Sequence, residues 1–171
     1  VISMSQVNSD ELNASISFNG SYFYFLRMID HGLLIPDYLF GNIIIPGDAV
    51  ISSIGISLRQ VLKKNEDINP EENYIFDHKL NKENYEDNIK KLMGLCGYKN
   101  KKSLLKKMNK CLVRQVGNII KIKPLNHIKL EAWDGDGISE TDDVIIPVSA
   151  SDEELGNAVI EAFSRCKGRQ F

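Results

Sequence analysis

The first residues to test for chemistry are the carboxylates of Asp134-Gly135-Asp136-Gly137, since clustered carboxylate oxygens are what a hard cation such as calcium seeks. The pattern then breaks. Ile138 stands where a third ligand belongs, and no glutamate closes the loop at the required spacing. The segment reads instead as a glycine-rich polar turn, or as an exposed acidic recognition loop beside Trp133 that continues through Glu140, Asp142 and Asp143.

His31, His78 and His127 are scattered, and none falls in HExxH or a comparable ligand spacing, so no metal centre is expected. Cys96, Cys111 and Cys166 are an odd set without a CxxC pair, which fits reduced thiols better than a disulfide framework or a zinc site. A nucleophilic cysteine needs a base and an orienting group beside it, whereas Cys111 and Cys166 fall on the core faces of an expected strand and helix. They read as buried, inert thiols. GxGxxG, GxxxxGK[ST] and GxSxG are all missing, so neither a catalytic group nor a cofactor is expected.

Lys99, Lys101, Lys102, Lys106, Lys107 and Lys110 surround Leu104, Leu105 and Met108. One reading is a short helix with a solvated lysine face. The other is an anion-binding patch, although Tyr98 alone accompanies it to stack on a base.

The elements that position these groups show a repeat. Aligned without a gap, Ile43 to Asn65 sits on Val144 to Cys166, with Ile44, Ile45, Pro46, Ala49 and Gly55 meeting Ile145, Ile146, Pro147, Ala150 and Gly156. In each copy three β-branched residues make a short strand, proline closes it, and an amphipathic helix follows. Ser151 and Glu154 have the spacing of a capping box, with Asp152 and Glu153 at the positive end of the helix dipole, and Asp48 is the expected cap of the first copy. Gly55 and Gly156 cost about 1 kcal/mol each inside a helix, which points to close helix-to-sheet approach, the other reading being glycines that the helix simply tolerates.

Ahead of the first copy, Leu12, Ala14, Ile16 and Phe18 alternate with Asn13, Ser15, Ser17 and Asn19, the pattern of a strand with one wet face. Asn19-Gly20 turns the chain into a return strand, Tyr22 to Ile29, that expects cover on both faces. Asn65 to Asn73 is polar and acidic and reads as a connection. Tyr85, Ile89, Leu92 and Met93 then mark a helix from Asn81 to Leu95, with Gly94 and Gly97 at its end. Gly117-Asn118 joins a second hairpin, Cys111 to Val116 with Ile119 to Lys123, and Ile128, Leu130 and Ala132 alternate along one further strand.

The expectation is an α+β fold, an antiparallel sheet with packed helices and pseudo-twofold symmetry that resembles the Whirly-like architecture. It makes one domain over 1–171, with repeat halves at about 12–65 and 111–166 and a helical insertion at about 74–110.

The 171 residues are 43% hydrophobic and 26% charged with a net charge of −2, ordinary for a globular protein and without a global pull toward nucleic acid or membrane. No apolar run approaches the roughly 18 residues of a membrane span, and no secretory leader is evident, so a cytoplasmic protein is expected.

Three segments together look like the immunity proteins of bacterial contact-dependent growth inhibition systems. They are Gly97-Tyr98-Lys99 with Lys101-Lys102 and Leu104-Leu105; His127-Ile128-Lys129-Leu130-Glu131-Ala132-Trp133 leading to Gly137-Ile138; and Val144-Ile145-Ile146-Pro147 with Glu154-Leu155-Gly156 and Ser164-Arg165-Cys166. The resemblance implies a non-enzymatic inhibitor that binds the toxic C-terminal domain of a delivered effector, commonly a nuclease, and occludes it. Acidic surface suits a basic nuclease groove, which makes Asp134, Asp136, Glu140, Asp142 and Asp143 the candidate contacts, with Trp133 as an aromatic anchor. Pairing of a toxin hairpin with an exposed sheet edge is a second route. The rival reading is a single-stranded nucleic-acid-binding module, built on the lysine cluster and on Tyr22 and Tyr24.

Overall fold

The computed structural model describes residues 11–30, 32–38, 42–63, 78–168 and 171. The expected connection from Asn65 to Asn73 and His31 lie outside the described residues.

Two hairpins meet at the centre of a seven-stranded antiparallel sheet. The first joins β1 (Leu12–Phe18) to β2 (Tyr22–Asp30) and the second joins β5 (Asn109–Val116) to β6 (Ile119–Pro124). β1 pairs with β5, placing Ile16 opposite Cys111 and Ala14 opposite Val113. β4 (Ile43–Pro46) adds to β2 on one side, and β9 (Val144–Pro147) adds to β6 on the other. A short β3 (Leu34–Pro36) pairs with the far end of β2. β4 leads into α1 (Ile51–Val61) and β9 leads into α4 (Asp152–Ser164), so the two strand-helix units occupy matching places at opposite edges.

Both helices lie on one face of the sheet. Phe23, Phe25, Ile16, Val113, Ile120 and Ile122 point up from the strands into Ile54, Leu58, Leu155, Val159 and Ala162. Period-2 alternation on the strands and helical spacing on α1 and α4 bring these apolar sets together. Where the helices cross, side chains vanish. A Cβ built on Gly55 would stand 2.0 Å from the Asp152 carbonyl oxygen, and one on Gly156 would stand 2.1 Å from that of Ile51. The glycines thus serve helix-to-helix contact, not the helix-to-sheet approach expected from sequence. Arg59 locks the crossing: its Nε donates to Asp152 at 2.9 Å, Nη1 to the Val148 carbonyl at 3.0 Å, and Nη2 to the Ala150 carbonyl.

The second copy carries its expected capping box, with Ser151 accepting from Glu154 N–H and Glu154 accepting from Ser151 N–H. The first copy does not follow the expectation for Asp48. Ala49 N–H donates to the Pro46 carbonyl in a turn that delays the helix, so Val50 takes the cap position without a side-chain bond.

The opposite face of the sheet is covered by α2 (His78–Cys96) and α3 (Lys101–Leu105). Ile89, Leu92, Leu104, Leu105 and Met108 close over Tyr24 and Leu26. This second core explains why both faces of β2 are apolar. It also corrects the expected wet face of β1: Asn13, Ser15 and Ser17 are buried, because β1 is a central strand. α2 runs through Gly94, and it is Gly97, at φ 76°, that ends it.

Beyond β6 the expected single strand is broken into β7 (Asn126–Lys129) and β8 (Ala132–Asp134), joined by a turn at Leu130-Glu131. A short β10 (Lys167–Gly168) pairs in parallel with β7. Cys111 is buried on β5, but Cys166, expected on the core face of a helix, lies just past the end of α4 and is half-buried; their sulfurs are 3.7 Å apart, both as free thiols.

Gly55→Ala and Gly156→Ala should each lower the melting temperature by several degrees, at roughly 1–3 kcal/mol for an overpacked contact. On an exposed helix face the same change would stabilise by about 1 kcal/mol. An unchanged or raised melting temperature in both variants would remove the packing role of these glycines.

Candidate partner-binding face

Among the described residues, the face carrying α2 and α3 is only half covered. On β5, β6 and β9 the outward side chains are Leu112, Arg114, Val116, Ile119, Lys121, Lys123 and Ile145, by strand alternation and register. Val116 is 40% exposed, Ile119 43% and Ile145 57%, and these neighbouring positions make an apolar strip on that face. Arg114 lies directly opposite Lys121 in the register. Like charges so placed repel unless countered. The counter-charges come from neighbouring segments: Glu11 pairs with Arg114, and Asp143 stands 3.7 Å from Lys121. Together they line a cleft of about 360 Å³ whose rim includes Glu140 and Leu112.

The acidic loop between β8 and β9 borders this face, but its members have different jobs. Asp134 Oδ1 accepts from Asp136 N–H at 2.9 Å and shapes the turn. Asp142 Oδ2 accepts from Ser139 N–H at 3.0 Å, closing a capping box on the 3-10 turn Glu140–Asp142. The Asp143 side chain is buried at 4% exposure, with Oδ2 3.7 Å from Lys121 Nζ. Asp136 and Glu140 are exposed to solvent.

Trp133 is tied into the protein on every side. Its Nε1–H donates to the Met108 carbonyl at 2.8 Å, His127 stacks on its ring at 4.4 Å between centroids, and Lys110 Nζ lies 4.1 Å from its centre. These contacts hold the start of the acidic loop at a fixed angle. Burial pushes the Lys110 ammonium down to about 8, while the facing indole ring attracts the charged form. His127 is 1% exposed, bonds the Leu130 carbonyl through Nε2–H at 3.0 Å, and is pushed below its usual pKa, chiefly by burial.

Sequence reasoning missed three features here. The buried ion pair of Arg27 with Asp37 fastens the segment after β3 to β2, although Pro36-Asp37 reads only as a turn. Lys101 pairs with Glu86 at 3.1 Å and with Glu131 at 2.8 Å, so one member of the lysine cluster joins α2, α3 and the β7–β8 turn. Its bond to Glu131 holds that carboxyl below its usual range. Tyr24, offered as a base-stacking residue, is 7% exposed and donates its hydroxyl to Asn88 Oδ1 at 3.0 Å. Tyr22 and Tyr24 share a face but cannot form an open platform.

Among the described residues no group of three or more His, Cys, Asp or Glu is placed to hold a metal. No described helix is long and apolar enough to cross a membrane. What remains is an antiparallel α+β protein whose built surface is a half-bare sheet face with an acidic border.

The chain belongs to the CDI immunity protein family (CdiI), whose model matches residues 12–166. Immunity protein CdiI-YPIII of Yersinia pseudotuberculosis serotype O:3 (strain YPIII) is 40% identical over 94 residues, 55% of this chain and 53% of that protein. The matched segment therefore spans about half the length of that relative. The structure is similar to a protein of unknown function, NMB0488 from Neisseria meningitidis, with a TM-score of 0.83 and 31% identity over 95% of this chain and 99% of the other. It is similar also to a chain of the CdiA-CT/CdiI toxin and immunity complex from Yersinia pseudotuberculosis, with a TM-score of 0.82 and 29% identity, covering 92% of this chain and 98% of that one.

The His127 geometry carries a pH dependence. Its folded pKa lies below the ordinary 6.5, so the unfolded chain takes up the extra proton first as pH falls. The stability it contributes is present above about pH 6.5 and is lost below it. Thermal melts between about pH 7.5 and 5.5 should show a falling melting temperature in the wild type, and a smaller fall in His127→Phe. Parallel curves for the two proteins would remove His127 as the titrating group.

Proposed function

We propose that this protein neutralises the C-terminal toxin domain of a contact-dependent growth inhibition effector, acting as a non-enzymatic inhibitor in the cytoplasm of the cell that makes the toxin. The toxin is read as a nuclease, whose basic substrate groove the acidic border of the sheet face would occupy. Membership of the immunity family supports the class of function, as does likeness to a chain from a toxin and immunity complex.

The observation that carries the choice of surface is the uncovered half of the sheet. A sheet face left with Val116, Ile119 and Ile145 in solvent, beside a charged cleft, has the composition of an interface core with a polar rim. The wedge of His127, Trp133 and Lys110 pre-orders the loop next to it, so little conformational entropy is lost on docking. Asp136 and Glu140 supply the long-range attraction, whereas Asp134, Asp142 and Trp133 keep the loop in shape. The outer edge of β9 continues this surface and offers backbone groups for strand addition, although Pro147 shortens what is available.

Under this reading the chain acts as one immunity domain. The repeat halves at about 12–65 and 111–166 supply the sheet and its closing helices. Within the insertion at about 74–110, α2 and α3 cover the face of the first half and, among the described residues, leave that of the second open.

Co-expression with the C-terminal domain encoded beside this gene should yield a stable complex and rescue growth. The absence of both a complex and growth rescue would leave the immunity reading without support, and salt-sensitive binding to random single strands would then favour the nucleic-acid module. Charge reversal at Asp136 and Glu140 should slow association about tenfold at low salt, with the melting temperature retained. Unchanged association would take the loop out of the interface.

A further inference from the structure

Cys111 and Cys166 are 55 residues apart along the chain, yet their sulfurs stand 3.7 Å from each other as free thiols. A disulfide at about 2.05 Å needs a closure of under about 2 Å. The two backbones are unequally free to supply it. Cys111 is fixed on β5, paired with Ile16 of β1 on one side and Pro124 of β6 on the other. Cys166 lies between the end of α4 and the start of β10, outside any helix or strand, so rotation about its Cα–Cβ bond and a small backbone shift can close the gap. Backbone bonds already gather the surroundings: Leu125 N–H donates to the Lys110 carbonyl at 3.1 Å, and Lys167 N–H donates to the Leu125 carbonyl at 3.2 Å.

The pair is also chemically unequal. Cys111 is fully buried, and burial pushes its thiol well above the usual pKa. Cys166 is half-buried beside exposed Lys167, and its hydrogen bond with Cys111 holds it below the usual value. The more acidic and more accessible thiol meets an oxidant first. The buried one then resolves it.

We propose that Cys111 and Cys166 form a reversible redox pair, closed to a disulfide by hydrogen peroxide and reopened by a dithiol. The Cys166 thiolate attacks one peroxide oxygen, the O–O bond breaks, and the sulfur becomes a sulfenic acid while the other oxygen leaves as hydroxide. That hydroxide takes up the proton Cys166 released, giving water. The Cys111 sulfur then attacks the Cys166 sulfur, and the sulfenic oxygen leaves with the Cys111 proton as a second water. Two thiols lose two electrons in all, and one peroxide is reduced to two waters. The bond ties the central strand β5 to β10, and through β10 to β7 and β8, the hairpin that carries Trp133. In a reducing compartment it forms only while oxidant is present, which makes it a response to oxidation and not a permanent staple. It stands independently of the toxin-binding reading.

The test treats the free protein with equimolar hydrogen peroxide and follows the thiol count, the peptide masses after proteolysis, and the melting temperature with and without dithiothreitol. Two of the three thiols should be lost, with a crosslinked peptide joining Cys111 to Cys166 and a single-chain band on a non-reducing gel. The melting temperature should rise by at least about 5 °C, and dithiothreitol should reverse the rise. Cys96, on α2 and pushed above its usual pKa by burial, is the internal control. Cys96→Ser should keep both the crosslink and the rise, whereas Cys166→Ser, which leaves the β5 thiol in place, should lose both.

Oxidation confined to Cys96, a sulfinic acid at Cys166 without a crosslink, or a disulfide between two chains overturns the proposal. A crosslink that lowers the melting temperature overturns the part of it that makes the bond a brace.

Discussion

The crossing of α1 over α4 is the constraint on which the rest of the structure depends. Two carbonyl oxygens from the first turns of the helices, those of Ile51 and Asp152, occupy the places where Cβ atoms of Gly156 and Gly55 would stand. Approach this close suits Cα–H···O contacts and brings the buried faces of both helices down on the strands at one height. With Arg59 bonded to Asp152, Val148 and Ala150, the two ends of the sheet are tied across its middle. The aromatic group of Phe18, Phe23, Phe25 and Phe163 packs in the space this leaves.

One face of the sheet is occupied by this helix pair, which leaves the other as the face proposed for binding. There the symmetry of the strands is not matched by symmetry of cover. α2 and α3 bury Tyr24 and Leu26 on the first hairpin, while the corresponding face of the second hairpin is exposed. The β7–β8 hairpin stands at the boundary, braced by Trp133 against Met108 and by Glu131 against Lys101. A rigid wall beside an apolar strip is the arrangement on which the proposed binding rests, since ordered groups lose little entropy on docking.

Much of this was legible in the residues because it follows from short-range rules. Ser151 and Glu154 capped a helix where their spacing said they would, and Asn19-Gly20 and Gly117-Asn118 turned the two hairpins. Val144 to Pro147 made a strand closed by proline. The failures were also physical. Asp48 has capping chemistry but stands two residues ahead of the cap position, and the ungapped repeat already pairs Val50, not Asp48, with Ser151. Asn13, Ser15 and Ser17 have the polarity of a wet face but lie in a central strand, where position in the sheet overrides pattern. The acidic candidates are a separate matter: they share a loop in sequence, while their side chains divide among turn geometry, capping and solvent, which charge alone does not distinguish.

The sequence by itself determined the elements, their duplication and their family, because local hydrogen bonding, hydrophobic period and proline or glycine placement act over a few residues. Only the tertiary structure decided that Gly55 and Gly156 meet opposite helices and that Lys121 and Arg114 face each other. It also decided that Asp143 turns inward with one oxygen unpaired. Those outcomes depend on which distant segments share a volume, and residue spacing along the chain carries no measure of that distance.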